Sequence, residues 1–86
     1  MLENIQVPVS VTLSFDHHLR HVSPTQIIWN SRTYPVLQLG LHHTYRQGRT
    51  LYHVFSVAST NLFFRLVLDT DTLFWQLTQI SDGDPA

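Results

Sequence analysis

The chain has no cysteine and no lysine, one methionine, and only three glycines in 86 residues. Without cysteine there is neither a disulfide framework nor a thiolate metal site, so an apolar core must supply the stability. With so few glycines, and none in a phosphate-cradling pattern, the sequence holds no glycine-rich nucleotide loop and no nucleophile elbow. Charged residues make up only 13% of the chain. The closest carboxylates, Asp69 and Asp71, fall in the turn-like Asp69-Thr70-Asp71-Thr72, where aspartate has its own structural reason to be, so paired carboxylates for acid–base chemistry are missing. No apolar run approaches the ~20 residues of a membrane helix. The first fifteen residues alternate instead of forming a basic head and an apolar run, which argues against a signal peptide. These absences lead to the expectation of a cytoplasmic protein that is not an enzyme, with no cofactor and no membrane partner.

What is present is apolar and β-forming: 43% of residues are hydrophobic and 12% aromatic. A chain this short buries only ~60–65% of its unfolded surface, so residues 1–80 are expected to form a single β domain, with residues 81–86 a mobile acidic tail. Ile5, Val7, Val9, Val11, Leu13 and Phe15 alternate with polar residues, the period of a strand with one wet face. Pro8 places that strand at a sheet edge, or has it start after the proline. His17 to Pro24 reads as a loop, Asn30-Ser31 as a tight turn, and Arg32 to Tyr45 as a long strand or two, with Gly40 marking a bulge. A turn at Gln47-Gly48 separates this stretch from the run Leu51 to Ala58, and it sets Arg46 opposite Arg49, Thr44 opposite Leu51 and His42 opposite His53. A turn at Thr70-Asp71 pairs Leu68 with Leu73, Leu66 with Trp75 and Phe64 with Leu77, gathering the large apolar residues on one inner face. The expected fold is all-β: a five- or six-stranded antiparallel meander, closed as a small barrel or strongly curled.

The charges are unevenly placed. All five arginines and all six histidines lie between His17 and Leu68, a stretch without any acidic residue, while the acids sit toward the two ends. Within it, His42, Tyr45, Arg46, Arg49, Tyr52 and His53 interleave cations with aromatics around a turn, a pattern that holds phosphates with arginine while rings stack on bases. The alternative is that the tyrosines pack on the sheet and the arginines keep the tip soluble. A second surface, Phe63, Arg65, Phe74 and Gln76, is neither polar nor apolar and is a candidate interaction face. His17, His18 and His21 are dense in donors but sit in a polar loop. His42 and His43 are adjacent on a strand and point to opposite faces, so no metal site is expected. Trp29 and Tyr34, flanking the Asn30-Ser31 turn with Arg32, read as a plug closing one end of the core.

The residues Ile28-Trp29-x-x-Arg32-x-Tyr34-x-Val36, then Phe64-Arg65-Leu66, then Trp75-x-Leu77 with Asp82, resemble a little-characterised bacterial β-domain family. That family occurs as short stand-alone proteins and as C-terminal appendages of Y-family DNA-polymerase-like proteins. The resemblance spans roughly Val7 to Asp82; the chain departs from the pattern at Ser31, where glycine is common, and in lacking a tryptophan-rich middle. It implies no activity and favours a role near DNA. The functional expectation is therefore a binding module meeting single-stranded nucleic acid, or another anionic partner, through the Arg46–Arg49 hairpin. The alternative is a protein-interaction or homo-oligomerisation domain.

Overall fold

The computed structural model describes residues 2–82, so the tail expected over 81–86 lies almost wholly outside them. Ser81 itself ends a strand. Eight strands run β1 (Leu2–Pro8), β2 (Ser10–Asp16), β3 (His21–Trp29), β4 (Arg32–Pro35), β5 (Gln38–Gln47), β6 (Thr50–Ala58), β7 (Phe63–Asp69) and β8 (Trp75–Ser81). They form two antiparallel sheets, one of five strands in the order β1-β8-β7-β6-β5 and one of three in the order β2-β3-β4. The all-β expectation holds, but the strands number eight rather than five or six, and the two sheets do not close into a barrel. No helix among the described residues is long and apolar enough to cross a membrane.

The extra strands arise at two corners. The alternating segment Ile5 to Phe15 is not one strand: Pro8, which has no N–H to continue a ladder, is the last residue of β1 at an edge of the large sheet, and the chain passes into the small sheet at Val9. The Val9 N–H donates to the Trp75 carbonyl at 3.2 Å, and the alternation runs through the corner, so Ile5, Val7, Val9 and Val11 all pack on one core. After β4 the chain returns, Val36 N–H bonding Thr25 O in the small sheet and Leu37 N–H bonding Ala58 O in the large one. The supposed loop His17 to Pro24 is also half strand. β3 starts at His21, and Pro24 is accommodated beside a register shift between Thr12 and Leu13. Between the sheets lie Ile27, Phe55, Val57, Phe64, Leu66 and Leu77. Trp29 and Tyr34 meet Phe64 edge-on at 6.3 and 5.2 Å, so the expected plug is part of this core.

Both expected hairpin registers need correction. In β7–β8, Asp69 starts the turn: its carboxylate accepts from the N–H of Asp71 and Thr72, its carbonyl from Leu73 N–H, and its own N–H bonds Phe74 O. The loop is thereby lengthened. Leu68 pairs with Trp75, Leu66 with Leu77 and Phe64 with Ile80, with a bulge next to Arg65. Parity survives, so Leu66 and Leu77 still face inward, but Leu73 lies in the loop, 69% exposed. In β5–β6 the two loop residues are Gly48 and Arg49, with Gly48 at φ 62°, the position where a II′ turn requires a left-handed residue. Arg46 therefore faces Leu51 rather than Arg49, Thr44 faces His53, and His42 faces Phe55.

The β3–β4 turn is a two-residue loop with both Asn30 and Ser31 at positive φ, 56° and 64°. Asparagine tolerates this region, while serine carries the Cβ penalty. Ser31→Gly should accordingly raise stability by about 0.5–1 kcal/mol after the entropic cost of glycine is subtracted, read as a higher urea midpoint at unchanged slope.

Candidate binding site between the sheets

Alternation along β5 and β6 sorts the hairpin residues into two sets. Phe55 is 1% exposed in the core, so the inner face carries Phe55, His53 and Leu51 of β6 with His42, Thr44 and Arg46 of β5. The outer face carries Val54, Tyr52 and Thr50 with His43, Tyr45 and Gln47. The six residues singled out as one surface are therefore divided: His42, His53 and Arg46 inside, Tyr45 and Tyr52 outside, Arg49 at the tip.

On the outer face Tyr45 and Tyr52 stack on each other, ring centroids 5.0 Å apart and 15° from parallel. The acids also come to this side. Asp69 pairs with Tyr52 across the ladder, and Asp71 accepts a 2.6 Å hydrogen bond from the Thr50 hydroxyl. Desolvation, then Asp69, Tyr45 and Asp71, pushes the Tyr52 pKa above its ordinary value.

The inner face opens instead into a cleft of about 430 Å³ at the end where the β2–β3 hairpin lies across β5, β6 and β7. Leu13, Val22, Phe55 and Leu68 give it apolar walls; Arg20, His21, His42 and His53 bring cationic or hydrogen-bonding groups to it. Among the described residues no carboxylate lines it, the adjoining one being Asp16, the cross-strand partner of His21. The His42 ring lies flat on Phe55, centroids 4.1 Å apart at 12°, and its Nε2 is 2.7 Å from Nδ1 of His53. One ring must donate and the other accept, so this contact survives one proton charge but not two. Although much of His42 remains in water, desolvation of the stacked ring lowers its pKa, with further lowering from His53, His21 and His43. The folded pKa thus lies below the unfolded value. The unfolded chain then takes up the proton first as pH falls, so stability is at its plateau above about pH 6.5 and is lost as pH drops through the window below it. Thermal melts from about pH 7.5 to about pH 5 should show this decline, and His42→Phe, which keeps an aromatic ring on Phe55, should flatten it.

No family model, curated protein or solved structure matches the chain.

The second candidate face is also divided. Phe63, Arg65 and Gln76 lie on the outer side of the large sheet, where Phe63 and Arg65 border a shallower hollow of about 270 Å³ beside Gly40 and Ser56. A Cβ on Gly40 would stand 3.1 Å from Ser56 O, which is why that strand carries glycine there. Phe74 is elsewhere, in the β7–β8 loop, against Pro8 to Val11. Gln76 is engaged by Gln6 at 3.0 Å. The His17 and His18 rings lie 3.9 Å apart, tilted by 39°, in the β2–β3 loop, and among the described residues no three or more histidine or acidic side chains are placed to hold a metal ion. Arg20 and Val22 are not singled out in the sequence, His21 only as a loop imidazole, and Leu13 and Leu68 only as apolar strand positions. The one available signal was the acid-free stretch from His17 to Leu68, which supplies every charged or imidazole group of the cleft.

Proposed function

We propose that this domain is a non-enzymatic binding module that takes a compact anion with an apolar body in the cleft between its two sheets. The observation that carries the reading is the composition of the cleft: apolar walls with Arg20, His21, His42 and His53 converging on it and no carboxylate. The body of the ligand packs against Leu13, Phe55 and Leu68, and its anionic head meets the Arg20 guanidinium and the imidazole edges. Arginine's rigid fork suits a carboxylate or phosphate oxygen pair.

Calorimetric titration with phenylbutyrate and with its uncharged analogue phenylbutanol tests this. The carboxylate should bind, the alcohol should bind at least about ten-fold more weakly, and Arg20→Gln should weaken the carboxylate by about ten-fold, the scale of a hydrogen bond to a charged group. Equal affinity for acid and alcohol, or no binding of either, would sink the proposal.

The exposed Tyr45–Tyr52 stack favours a second reading, single-stranded nucleic acid on the outer face with Arg49 at the tip. Asp69 and Asp71 beside Tyr52 and Thr50 oppose it, since they set a negative potential where phosphates would approach. A labelled oligothymidylate titrated at low salt, where electrostatic attraction is strongest, decides: binding that weakens steeply with added salt supports it, and absence of binding removes it.

A further inference from the structure

The β5 strand is an edge of the large sheet, ten residues long and exposed along most of its length. Edge strands are ordinarily blunted by lysine, proline, acidic residues or bulges. From His42 to Gln47 this edge has no lysine, proline or acidic residue and one charge, Arg46 on the inner face; its one register shift lies between Leu39 and His42, before that stretch. Gln47, Tyr45 and His43 occupy the positions that exchange hydrogen bonds with β6, counting back from the closing pair Gln47–Thr50, so the N–H and C=O of His42, Thr44 and Arg46 point outward. No backbone group elsewhere among the described residues meets them.

We propose that the domain dimerises by antiparallel pairing of β5 with β5 of a second copy, about a two-fold axis through Thr44. The strand is self-complementary in that register. The outward groups of His42, Thr44 and Arg46 meet those of Arg46, Thr44 and His42 of the second copy as hydrogen-bonded pairs, joining two five-stranded sheets into one. Thr44 then faces Thr44, a favourable cross-strand pair. On the outer face His43 lies beside Tyr45 of the second copy, continuing the Tyr45–Tyr52 stack. Tyr45 and Leu41, 42% and 70% exposed, lose contact with water. The formal net charge of −1 gives little self-repulsion. The only cation opposite a titratable group is Arg46 facing His42, which is compatible while the imidazole is neutral. The groups around His42 within one copy are Phe55 and His53 on β6, His21 on β3, His43 on β5 and, across the cleft, Arg20 of the β2–β3 loop; the ring stack and the imidazoles favour the neutral ring, and Arg20 adds a like charge. The pairing runs through the β5 backbone, so cleft ligation can fail without affecting it, although His42 borders both.

Sedimentation equilibrium of the full chain from micromolar to millimolar concentration is the test. The native chain should fit a monomer–dimer equilibrium. Thr44→Pro removes an outward N–H without touching the β6 ladder, and it should weaken the dimer by at least about ten-fold. Lowering the pH from about 7.5 to about 5 should also weaken the dimer, as His42 charges opposite Arg46. Hydrogen exchange on the native chain keeps the test independent of the variant: the His42, Thr44 and Arg46 amides should become protected as concentration rises. A monomer at every concentration, or a dimer that leaves those three amides unprotected, would overturn the proposal. Capture of a strand from a different protein by a chain that stays monomeric alone would overturn it too.

Discussion

Leu66→Ala is expected to cost about 2–5 kcal/mol, whereas Leu73→Ala should change stability by less than about 0.5 kcal/mol. Leu66 is fully buried opposite the equally buried Leu77, so truncation removes apolar contact and leaves a cavity that the close-packed core around it cannot fill. Leu73 is 69% exposed in a loop. Since a domain of this size has a total stability of only about 4–13 kcal/mol, Leu66→Ala should unfold an appreciable fraction of the protein at moderate temperature. The pair distinguishes the Asp69-initiated loop from a tighter Thr70-Asp71 hairpin, in which Leu73 would sit inside and matter as much as Leu66. Urea titrations of both variants at constant slope give the comparison directly.

Phe55→Ala is expected to cost about 3–5 kcal/mol, the usual range for losing a buried ring. It should also do something that no other core truncation does. Phe55 is at once a core residue, touching Trp75 at 5.6 Å, and the surface on which His42 lies. Removing the ring readmits water to one face of the imidazole, so the His42 pKa should rise back toward its ordinary value. Phe55→Leu gives a smaller side chain without the flat ring, so it uncovers part of the imidazole face and should move the His42 pKa in the same direction by less, while costing less than about 1.5 kcal/mol, which keeps the protein folded for a titration of the His42 ring by NMR. An unchanged His42 titration in that variant would mean the stack does not govern the group.

Much of this architecture is legible in the sequence because it follows from local periodicity. The inward set Ile5, Val7, Val9 and Val11, the turn at Asn30-Ser31, the bulge at Gly40 and the core role of Trp29 and Tyr34 all come from residues within a few positions of one another. The corners at Val9 and at Val36–Leu37 are not legible, because alternation continues across them while the ladder partner changes from one sheet to the other. The hairpin registers were missed for a different reason. Single groups decide them: the Asp69 carboxylate that lengthens one loop, and the left-handed Gly48 that places the other turn one residue later. In the β7–β8 hairpin, counting apolar parity gets the face right and the partner wrong; in β5–β6, where apolar residues fall on both parities, it leaves the face open.

The candidate site was half visible. His42 and His53 were identified, but as members of a single exposed hairpin surface with Tyr45 and Tyr52, whereas strand alternation sends the imidazoles inward and the tyrosines outward. The other half of the cleft comes from the β2–β3 hairpin, at least some twenty residues away from His42 along the chain. Nothing local announces that contact. The acid-free stretch did carry the relevant electrostatic information: Asp69 and Asp71 fall on the outer face, and Asp16, the cross-strand partner of His21, is the acid that comes next to the cleft without lining it.

The most direct test of the central claim is an NMR titration of the native chain with phenylbutyrate, following backbone amides and histidine ring resonances together. Progressive, saturable shifts at Arg20, His21, His42, His53 and Phe55, with Tyr45, Tyr52 and Arg49 unmoved, are the expected result. Shifts confined to the Tyr45–Tyr52 face, or no saturable shift at the cleft residues, would contradict a binding site between the sheets.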